Sequence, residues 1–434
     1  MYLKIHRGTK EIGGSCVEVW TENTRIVIDI GMPLVENDGS EFDFNKHKAL
    51  TVNELIGKGI LPNIEGFYAN ANELIDGIII SHPHIDHYGF STFLHPEIQY
   101  YMGEATHKII ELTDIFTPQQ NNIKNLTYFE KSKPFTIGDI KVTPFWMDHS
   151  AFDAYAFLIE ANGKSLFYSG DFRRHGRKHK AFKWFTHNAP SSVDCLLMEG
   201  TQIERKTKKD KTEEDIENEL VNIFSGNEKI NLIYTSGQNI DRLVSIYRAC
   251  KRTGKIFVID VYTATVLQGL SNYAAIPFPS KDFDNIKVIF PYFLCKRLAN
   301  ENNENLLYKF RCYKITKEEV SLNKNNIVLL VRPSMKFDLE HISNIDGGNL
   351  IYSLWEGYLQ KENTKKFIDY LSNKQFKVHK IHTSGHADIE TLNQMVNAIK
   401  PKNIVPIHTF RGHEYKQYFN YPVLELKDGE EVKI

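Results

Sequence analysis

Residues 81–87 of the sequence, which read SHPHIDH, directly follow an apolar stretch and have the side chains for metal chemistry. Histidines two positions apart in an extended loop point the same way, so His82 and His84 can share one metal ion. Asp86 and His87 can then turn toward a second ion. Such ligands suit zinc, with manganese or iron as alternatives. The other interpretation is a polar loop with scattered histidines, but this spacing is rare by chance and therefore favours a metal site.

A site for two metal ions needs more ligands, and polar residues just past the ends of predicted strands supply them. These residues are His149, Asp171, Glu199, His386 and His408. Sites in α/β folds lie at the carboxyl ends of strands. Each of these residues, taken alone, would more often be a turn residue or a buried polar group that forms its hydrogen bonds within the protein. Together with residues 81–87, they predict one shared site.

Asp29 occupies a similar position, within the IVIDIG stretch at residues 26–31. A carboxylate before a glycine can simply cap a turn. We favour a role in which Asp29 does not bind the metal itself but orients the side chains that do.

Short β-branched runs predict the strands that must hold these residues. The runs cover residues 25–30, 75–80, 140–146, 165–169, 193–198, 231–234, 255–259, 326–331, 378–382 and 403–407. Apolar residues at helical spacing predict helices over 239–252 and 388–400. Strands that alternate with helices indicate a layered α/β protein.

The distribution of histidines divides the chain into segments. Between residues 203 and 374 the single histidine is His341, whereas the flanking segments hold the other sixteen. A charge-dense stretch, RKTKKDK at residues 205–211, marks the first change. We therefore predict one site-building domain in two parts, 1–201 and 361–434, with a domain of residues 202–360 inserted between them.

Composition narrows the class of protein and its surroundings. The chain has 434 residues, 41% hydrophobic and 25% charged, which is typical of globular proteins. Its net charge of −1 gives no strong general attraction to polyanions or anionic membranes. The five cysteines form no C-x-x-C pair, which argues against a disulfide scaffold or a cysteine-type zinc site. The first residues contain no apolar stretch of 7–15 residues, so we expect no signal peptide. No apolar run approaches the roughly 20 residues of a membrane span, so we expect a cytoplasmic protein without a membrane partner.

Motifs along nearly the whole chain resemble those of a known family. They read EIGGSCVEV, IDIG, HPHIDH, GDFRRHGRK, LLMEGT, TSGQN, VYTA, VRPSM, SGHA and PIHT. The set resembles the metallo-β-lactamase superfamily and, within it, the ribonuclease J-like branch of the β-CASP nucleases. This resemblance implies an α/β fold, a four-layer αββα sandwich with an inserted α/β β-CASP domain. We expect a compact form without the C-terminal domain of bacterial ribonuclease J.

The resemblance also implies a set of site residues and two zinc ions per chain, with manganese as the alternative metal. One ion would be held by His82, His84 and His149. The other would be held by Asp86, His87 and His408, and Asp171 would bridge the two. Glu199, His386 and His408 match the three motifs particular to β-CASP members.

Hydrolysis of a phosphodiester bond is the natural use of two metal ions. They lower the pKa of a shared water, so that hydroxide forms near neutral pH, and they neutralise charge on the phosphoryl group. The leaving oxygen needs a proton, which His386 supported by Glu199 could donate. We expect Asp86, Glu199 and His386 to be the catalytic residues of a metal-dependent ribonuclease.

Two further segments have the chemistry to bind substrate phosphates. The HTSGH segment offers His382, Ser384 and Gly385 ahead of a helix, although a strand-to-helix turn is the other interpretation. A basic run at residues 164–183 contains Arg173 and Arg174, which we expect on the RNA backbone unless the run is a solvated face. The expected substrate is single-stranded RNA, degraded from 5′ to 3′ with endonuclease activity as an accompanying option. A homodimer is left open.

Three other functions compete with this prediction. The first is a DNA nuclease of the same fold, and the second is a metallo-hydrolase of small thioesters or lactones. The small-molecule enzymes lack the insertion and the final histidines, His386 and His408. The third is a subunit without activity, which the complete set of expected ligands argues against.

Overall fold

The structure is a computed structural model that describes residues 1–36, 39–69, 71, 73–203, 210–226 and 228–434. The chain forms two compact units, one of Met1–Lys209 with Gly385–Ile434 and the other of Asp210–Ser384. Most of the charge-dense stretch 205–211 lies outside the described residues. No helix in the described part of the chain is long and apolar enough to cross a membrane.

The first half of the chain contains most of the strands that build the first unit. Its strands are β1 (Tyr2–Arg7), β2 (Cys16–Trp20), β3 (Arg25–Ile28), β4 (Gly77–Ile79), β5 (Gln99–Met102), β6 (Asn125–Tyr128), β7 (Phe135–Ile137), β8 (Ile140–Met147), β9 (Ala154–Ala161), β10 (Lys164–Tyr168) and β11 (Cys195–Glu199). Its helices are α1 (Val52–Gly57), α2 (Ile85–Tyr88), α3 (Glu104–Phe116) and α4 (His179–Asn188).

The remaining elements complete both units. The strands are β12 (Asn231–Tyr234), β13 (Ile256–Asp260), β14 (Ile286–Ile289), β15 (Ile327–Val331), β16 (Gly348–Tyr352), β17 (Phe376–Lys380), β18 (Asn403–Ile407) and β19 (Glu431–Lys433). The helices are α5 (Glu213–Ser225), α6 (Ile240–Arg252), α7 (Val261–Leu270), α8 (Tyr292–Asn300), α9 (Asn305–Tyr308), α10 (Lys317–Leu322), α11 (Lys336–Glu340), α12 (Glu362–Asn373), α13 (Ile389–Ile399) and α14 (Tyr415–Tyr418).

Two mixed sheets pack face to face in the first unit. One has the order β19-β1-β2-β3-β4-β5-β6 and the other the order β18-β11-β10-β9-β8-β7. Their inner faces share one apolar core, to which Leu3 and Ile28 contribute from the first sheet and Phe157, Leu197 and Val405 from the second. Burial of this core stabilises the pair of sheets, because apolar area removed from water is worth about 25 cal/mol per Å².

Helices cover the two outer faces of the sandwich. On the first sheet, Leu55 of α1 and Ile110 of α3 belong to an apolar cluster with the strand residue Ile78. On the second sheet, Phe185 of α4 and Met395 of α13 belong to another such cluster. The resulting order of layers is helix, sheet, sheet, helix, which confirms the predicted αββα sandwich.

The second unit is a parallel α/β domain. Its six-stranded sheet has the order β14-β13-β15-β12-β16-β17. All five residues of β15 are buried, as expected for a central parallel strand covered on both faces. Helix α5 begins with a capping box in which Thr212 and Asp215 satisfy each other's backbone amides.

The boundary between the units after the insertion differs from the prediction, which began the closing part of the first domain at residue 361. Helix α12 and strand β17 lie in the second unit, which ends at Ser384. The physical reason is strand pairing, because β17 pairs in parallel with β16 along its whole length, from Gly348–Phe376 to Tyr352–Lys380.

Candidate metal centre

The loop that carries the first histidines is held between strand β4 and the short helix α2. Backbone hydrogen bonds tie helix α2, at the end of this loop, to the segment after β3, from Ile30 N to His87 O at 2.8 Å and from Met32 N to Ile85 O at 3.1 Å. Gly31 lies between these contacts, and a Cβ at this position would be 1.6 Å from the backbone oxygen of Asp86. The IDIG motif therefore needs its glycine so that the two loops can approach this closely.

Three imidazoles converge at this end of the sandwich. The Nδ1 atom of His84 lies 3.2 Å from Nε2 of His82 and 3.2 Å from Nε2 of His149. His82 and His149 are fully buried, and His84 is partly exposed. One candidate ligand atom from each of the three lies within 4.8 Å of the others, which is the spacing that a single metal ion requires.

Hydrogen bonds behind these rings set which nitrogen faces the centre. Nδ1 of His149 donates to Gly385 O at 2.6 Å. Nδ1 of His82 lies 3.1 Å from Ser81 Oγ, and this hydroxyl donates to Asp29 Oδ2 at 2.7 Å. Since the outer nitrogens carry the protons in this network, the inner Nε2 atoms present lone pairs.

Asp29 is the buried carboxylate that organises this side of the centre. It accepts hydrogen bonds from His87 Nδ1 and Ser81 N, both at 2.7 Å, and from the Tyr168 hydroxyl at 2.8 Å. Its φ of +60° lies in the left-handed region that non-glycine residues rarely adopt. Asp29 thus lies behind His87 rather than among the inward-facing ligands. Sequence reasoning missed Ser81 and Tyr168, although each is adjacent or close in sequence to a predicted ligand.

A second group of potential ligands lies beside the first. Asp86, His87, Asp171 and His408 bring ligand atoms within 4.8 Å of one another. Asp171 Oδ2 lies 3.2 Å from His87 Nε2 and 3.8 Å from His82 Nε2, so this carboxylate reaches both groups. On the far side, Nε2 of His408 lies 3.4 Å from Asp86 Oδ2. The arrangement can hold two ions with Asp171 between them.

Glu199 and His386 form a pair at the edge of this group. Glu199 is buried and accepts hydrogen bonds from the backbone amides of Ala387 and Thr201, both at 3.1 Å. Its Oε2 atom lies 3.4 Å from Nδ1 of His386. Burial disfavours the charged imidazole, but the charges of Glu199 and Asp171 raise the pKa of His386 to about 9. The ring can therefore hold a proton near neutral pH.

The donor set fits metal ions. Burial lowers the pKa of His82 and His149 well below the usual range and that of His84 to about 4, so these rings stay in the neutral form that binds metals. Asp171 and Glu199 are buried carboxylates, as is Asp29. Within the described residues, neither lysine nor arginine forms an ion pair with any of them. Buried negative charge of this kind calls for cations.

His87 supplies a second sign of fit. Its buried Nε2 atom, which points at Asp171, forms no hydrogen bond within the described part of the chain. The charges of Asp171 and Asp29 outweigh burial and raise the pKa of His87 well above its usual range. A metal ion at this position would satisfy both the ring and the carboxylate.

Arg173 is not placed where the sequence predicted it. Its side chain is fully buried and pairs with the equally buried Asp148, Nε to Oδ1 at 3.4 Å, so it cannot reach a substrate phosphate. Asp148 Oδ2 also accepts a hydrogen bond from Gly176 N at 2.8 Å. Because these residues adjoin His149 and Asp171, the pair links the ends of two strands that carry candidate ligands. The basic run in the sequence gave no sign of this burial.

The other residues predicted to contact substrate phosphates are divided between the two units. Arg174 is partly exposed, and its Nη2 atom pairs with Glu390 Oε2 at 2.5 Å at the first turn of α13. Gly385 lies in the first unit, where a Cβ would come within 2.5 Å of Ser150 Oγ. His382 and Ser384 belong to the second unit. A pocket formed by residues 382–386 stays a prediction.

Comparisons with known proteins identify families and relatives that this chain resembles. A model of the beta-lactamase superfamily domain matches residues 67–223, and a model of a Zn-dependent metallo-hydrolase RNA specificity domain matches residues 373–416. Ribonuclease J of Helicobacter pylori (strain ATCC 700392 / 26695) is 24% identical over 98% of this chain, which spans 60% of that relative's length. The RNase J-like protein of Methanocaldococcus jannaschii is 24% identical, with 95% of this chain and 93% of the relative covered.

A solved structure also resembles this fold along its length. It is a protein of unknown function from Enterococcus faecalis V583, with a TM-score of 0.79 and 20% sequence identity over 99% of both chains. At this identity the likeness establishes a common fold.

Proposed function

Since this chain belongs to the metallo-β-lactamase superfamily, in its ribonuclease J-like β-CASP branch, we propose that it is a metal-dependent nuclease that hydrolyses phosphodiester bonds of single-stranded RNA. The observation that carries the proposal is the position of Asp171 between two groups of ligands, next to the Glu199–His386 pair. The match of residues 373–416 to an RNA specificity domain supports RNA as substrate.

We propose two zinc ions per chain, with manganese as the alternative. The first would be held by His82, His84 and His149, and the second by Asp86, His87 and His408, with Asp171 shared between them. When bound, the ions would activate a water molecule and neutralise charge that develops on the phosphoryl group.

The protein's own groups supply orientation and a proton. Asp29 fixes His87 directly and His82 through Ser81, which keeps these ligands in place without rearrangement. His386 holds a proton that it can donate to the leaving oxygen, and Glu199 keeps the ring charged. Glu199 is in turn held by the backbone amides of Thr201 and Ala387, so the proton donor has a fixed position.

We further propose that the segment 382–386 binds a terminal 5′-phosphate, which would give removal of nucleotides from 5′ to 3′. The support for this step is the segment's composition, since His382, Ser384 and Gly385 lie within four consecutive residues shortly before helix α13 in the sequence. A preference for 5′-monophosphate over 5′-triphosphate ends follows from a pocket of fixed size.

The experiment compares one RNA sequence in three forms, with a 5′-monophosphate, with a 5′-triphosphate and circularised, together with matched DNA. Each is incubated with zinc, with manganese and with chelator. We expect metal-dependent cleavage of the monophosphate RNA, no cleavage by His82→Ala, and normal cleavage by His413→Ala, a variant of an exposed histidine in the same unit. Equal rates on circular RNA would make the enzyme chiefly an endonuclease, and faster cleavage of DNA would overturn the RNA assignment.

A further inference from the structure

An exposed group of aromatic rings lies on the second unit. We call it the aromatic patch, and it consists of Tyr292, Phe293, Phe337 and His341. The ring of Phe337 lies at its centre, with ring centres 5.3 Å from Tyr292, 5.2 Å from Phe293 and 4.3 Å from His341. Tyr292 and Phe293 are 49% and 56% exposed, which is unusual for large side chains that already contact each other.

The aromatic patch is held in place from below. Asp338 is buried and accepts a hydrogen bond from Tyr292 N at 3.1 Å, at the start of helix α8. The same carboxylate oxygen lies 2.9 Å from Lys317 Nζ, which is also 5.6 Å from the centre of the Phe337 ring. One buried carboxylate therefore fixes α8 relative to α11, so the rings do not have to be ordered when something binds to them.

A basic segment of the chain reaches the aromatic patch through Lys317, whose Nζ lies 5.6 Å from the centre of the Phe337 ring. Residues 305–317 contain four basic residues and no acidic one. Lys314 Nζ lies 5.4 Å from the centre of the Phe290 ring. In the sequence, Phe290 precedes Tyr292 of the aromatic patch by two positions. Lys309, Arg311 and Lys314 are exposed, and within residues 210–226 and 228–434 none of them forms an ion pair. These cations are available to an anionic partner.

We propose that the aromatic patch binds the bases of single-stranded RNA by stacking, while the neighbouring cations contact the phosphates. The inference rests on the proposed function for the identity of the nucleic acid. Exposed ring faces beside unpaired cations are the chemistry by which proteins hold single strands without reading sequence. A protein partner fits less well, because two half-exposed rings would bury roughly 150–250 Å², far below the ~800 Å² per partner of a stable interface.

The test measures binding in the presence of chelator, so that cleavage does not interfere. The probes are a fluorescein-labelled ten-nucleotide oligo(A) RNA and an abasic strand of the same length and charge. The proteins are the full chain, its Tyr292→Ala/Phe293→Ala variant, and Tyr128→Ala as a matched control, since Tyr128 is 46% exposed on the first unit. Light scattering records the oligomeric state of each protein.

We expect the double variant to bind oligo(A) at least about tenfold more weakly than the unaltered chain, since stacking contributes about five- to a hundredfold per base. Its affinity for the abasic strand should equal that of the unaltered chain, and Tyr128→Ala should match the unaltered chain on both probes. Equal binding of oligo(A) by the double variant overturns the inference, as does a change in oligomeric state without a change in affinity. The proposed function fails separately, through absence of cleavage when metal is restored.

Discussion

Replacement of Arg173 by methionine tests whether this residue is a structural partner of Asp148 or a contact to substrate. Both side chains are 0% exposed and the pair is direct, so the substitution removes the Arg173 cation from beside the buried Asp148 carboxylate. Removal of one partner of a buried ion pair costs about 3–5 kcal/mol. We therefore expect Arg173→Met to lower the free energy of unfolding of the first unit by that amount.

The assay is urea unfolding followed by tryptophan fluorescence. Three of the four tryptophans, Trp20, Trp146 and Trp184, lie in the first unit, so the signal reports chiefly on that unit. The midpoint and slope together give the loss of stability.

Two variants make the result specific to the buried pair. Arg174→Met should change stability by less than about 1 kcal/mol, because Arg174 is 24% exposed and its partner Glu390 is 62% exposed. The double variant Asp148→Asn/Arg173→Met should be more stable than the sum of its single variants predicts, because it removes both charges of the buried pair together. If Arg173→Met unfolds like the unaltered chain but binds RNA less tightly, Arg173 contacts phosphate and the structural reasoning is wrong.

Three further variants test the metal centre. Asp171→Asn should abolish phosphodiester cleavage, because this carboxylate reaches both groups of ligands, and wild-type turnover would contradict the shared position. His386→Ala should keep its metal and lose about 10²–10⁴-fold in rate, the usual contribution of a proton donor. Elemental analysis that finds less metal in this variant would instead make His386 a ligand. Asp29→Asn should weaken metal binding 10–100-fold in competition with a chelating dye, because His87 loses its charged acceptor, and unchanged affinity would exclude that role.

The strands that end at the metal centre could be predicted from the sequence, because buried strands have a simple apolar pattern. Strand β18 is Asn403–Ile407, identical to its prediction, and β10 differs from its prediction by one residue at each end. Buried parallel strands read as continuous apolar runs, so a polar residue just beyond such a run stands out. Asp171 and His408 were found in this way.

The sequence did not show which side chains from other segments of the chain would contact a given residue. A basic run records how many charges a segment has, whereas Arg173 is buried against Asp148, which directly follows strand β8. The assignment of β17 shows the same limit, since FKVHK alternates like many strands and only its register with β16 places it in the second unit. Sequence patterns define elements better than they define which elements meet.

Backbone strain offers an argument for function that does not depend on family likeness. Asp29 and His408 both have left-handed φ, +60° and +53°, and both follow a strand that ends at the centre. Neither residue type adopts this conformation without cost, and residues kept in it are usually held by many contacts. Asp29 is held by hydrogen bonds from Ser81, His87 and Tyr168, and His408 by contacts of its ring to Thr201 and Asp86. The contacts that hold these two backbones also direct the Asp29 carboxylate to His87 and the His408 ring to Asp86, which are the orientations that a metal centre requires of these side chains.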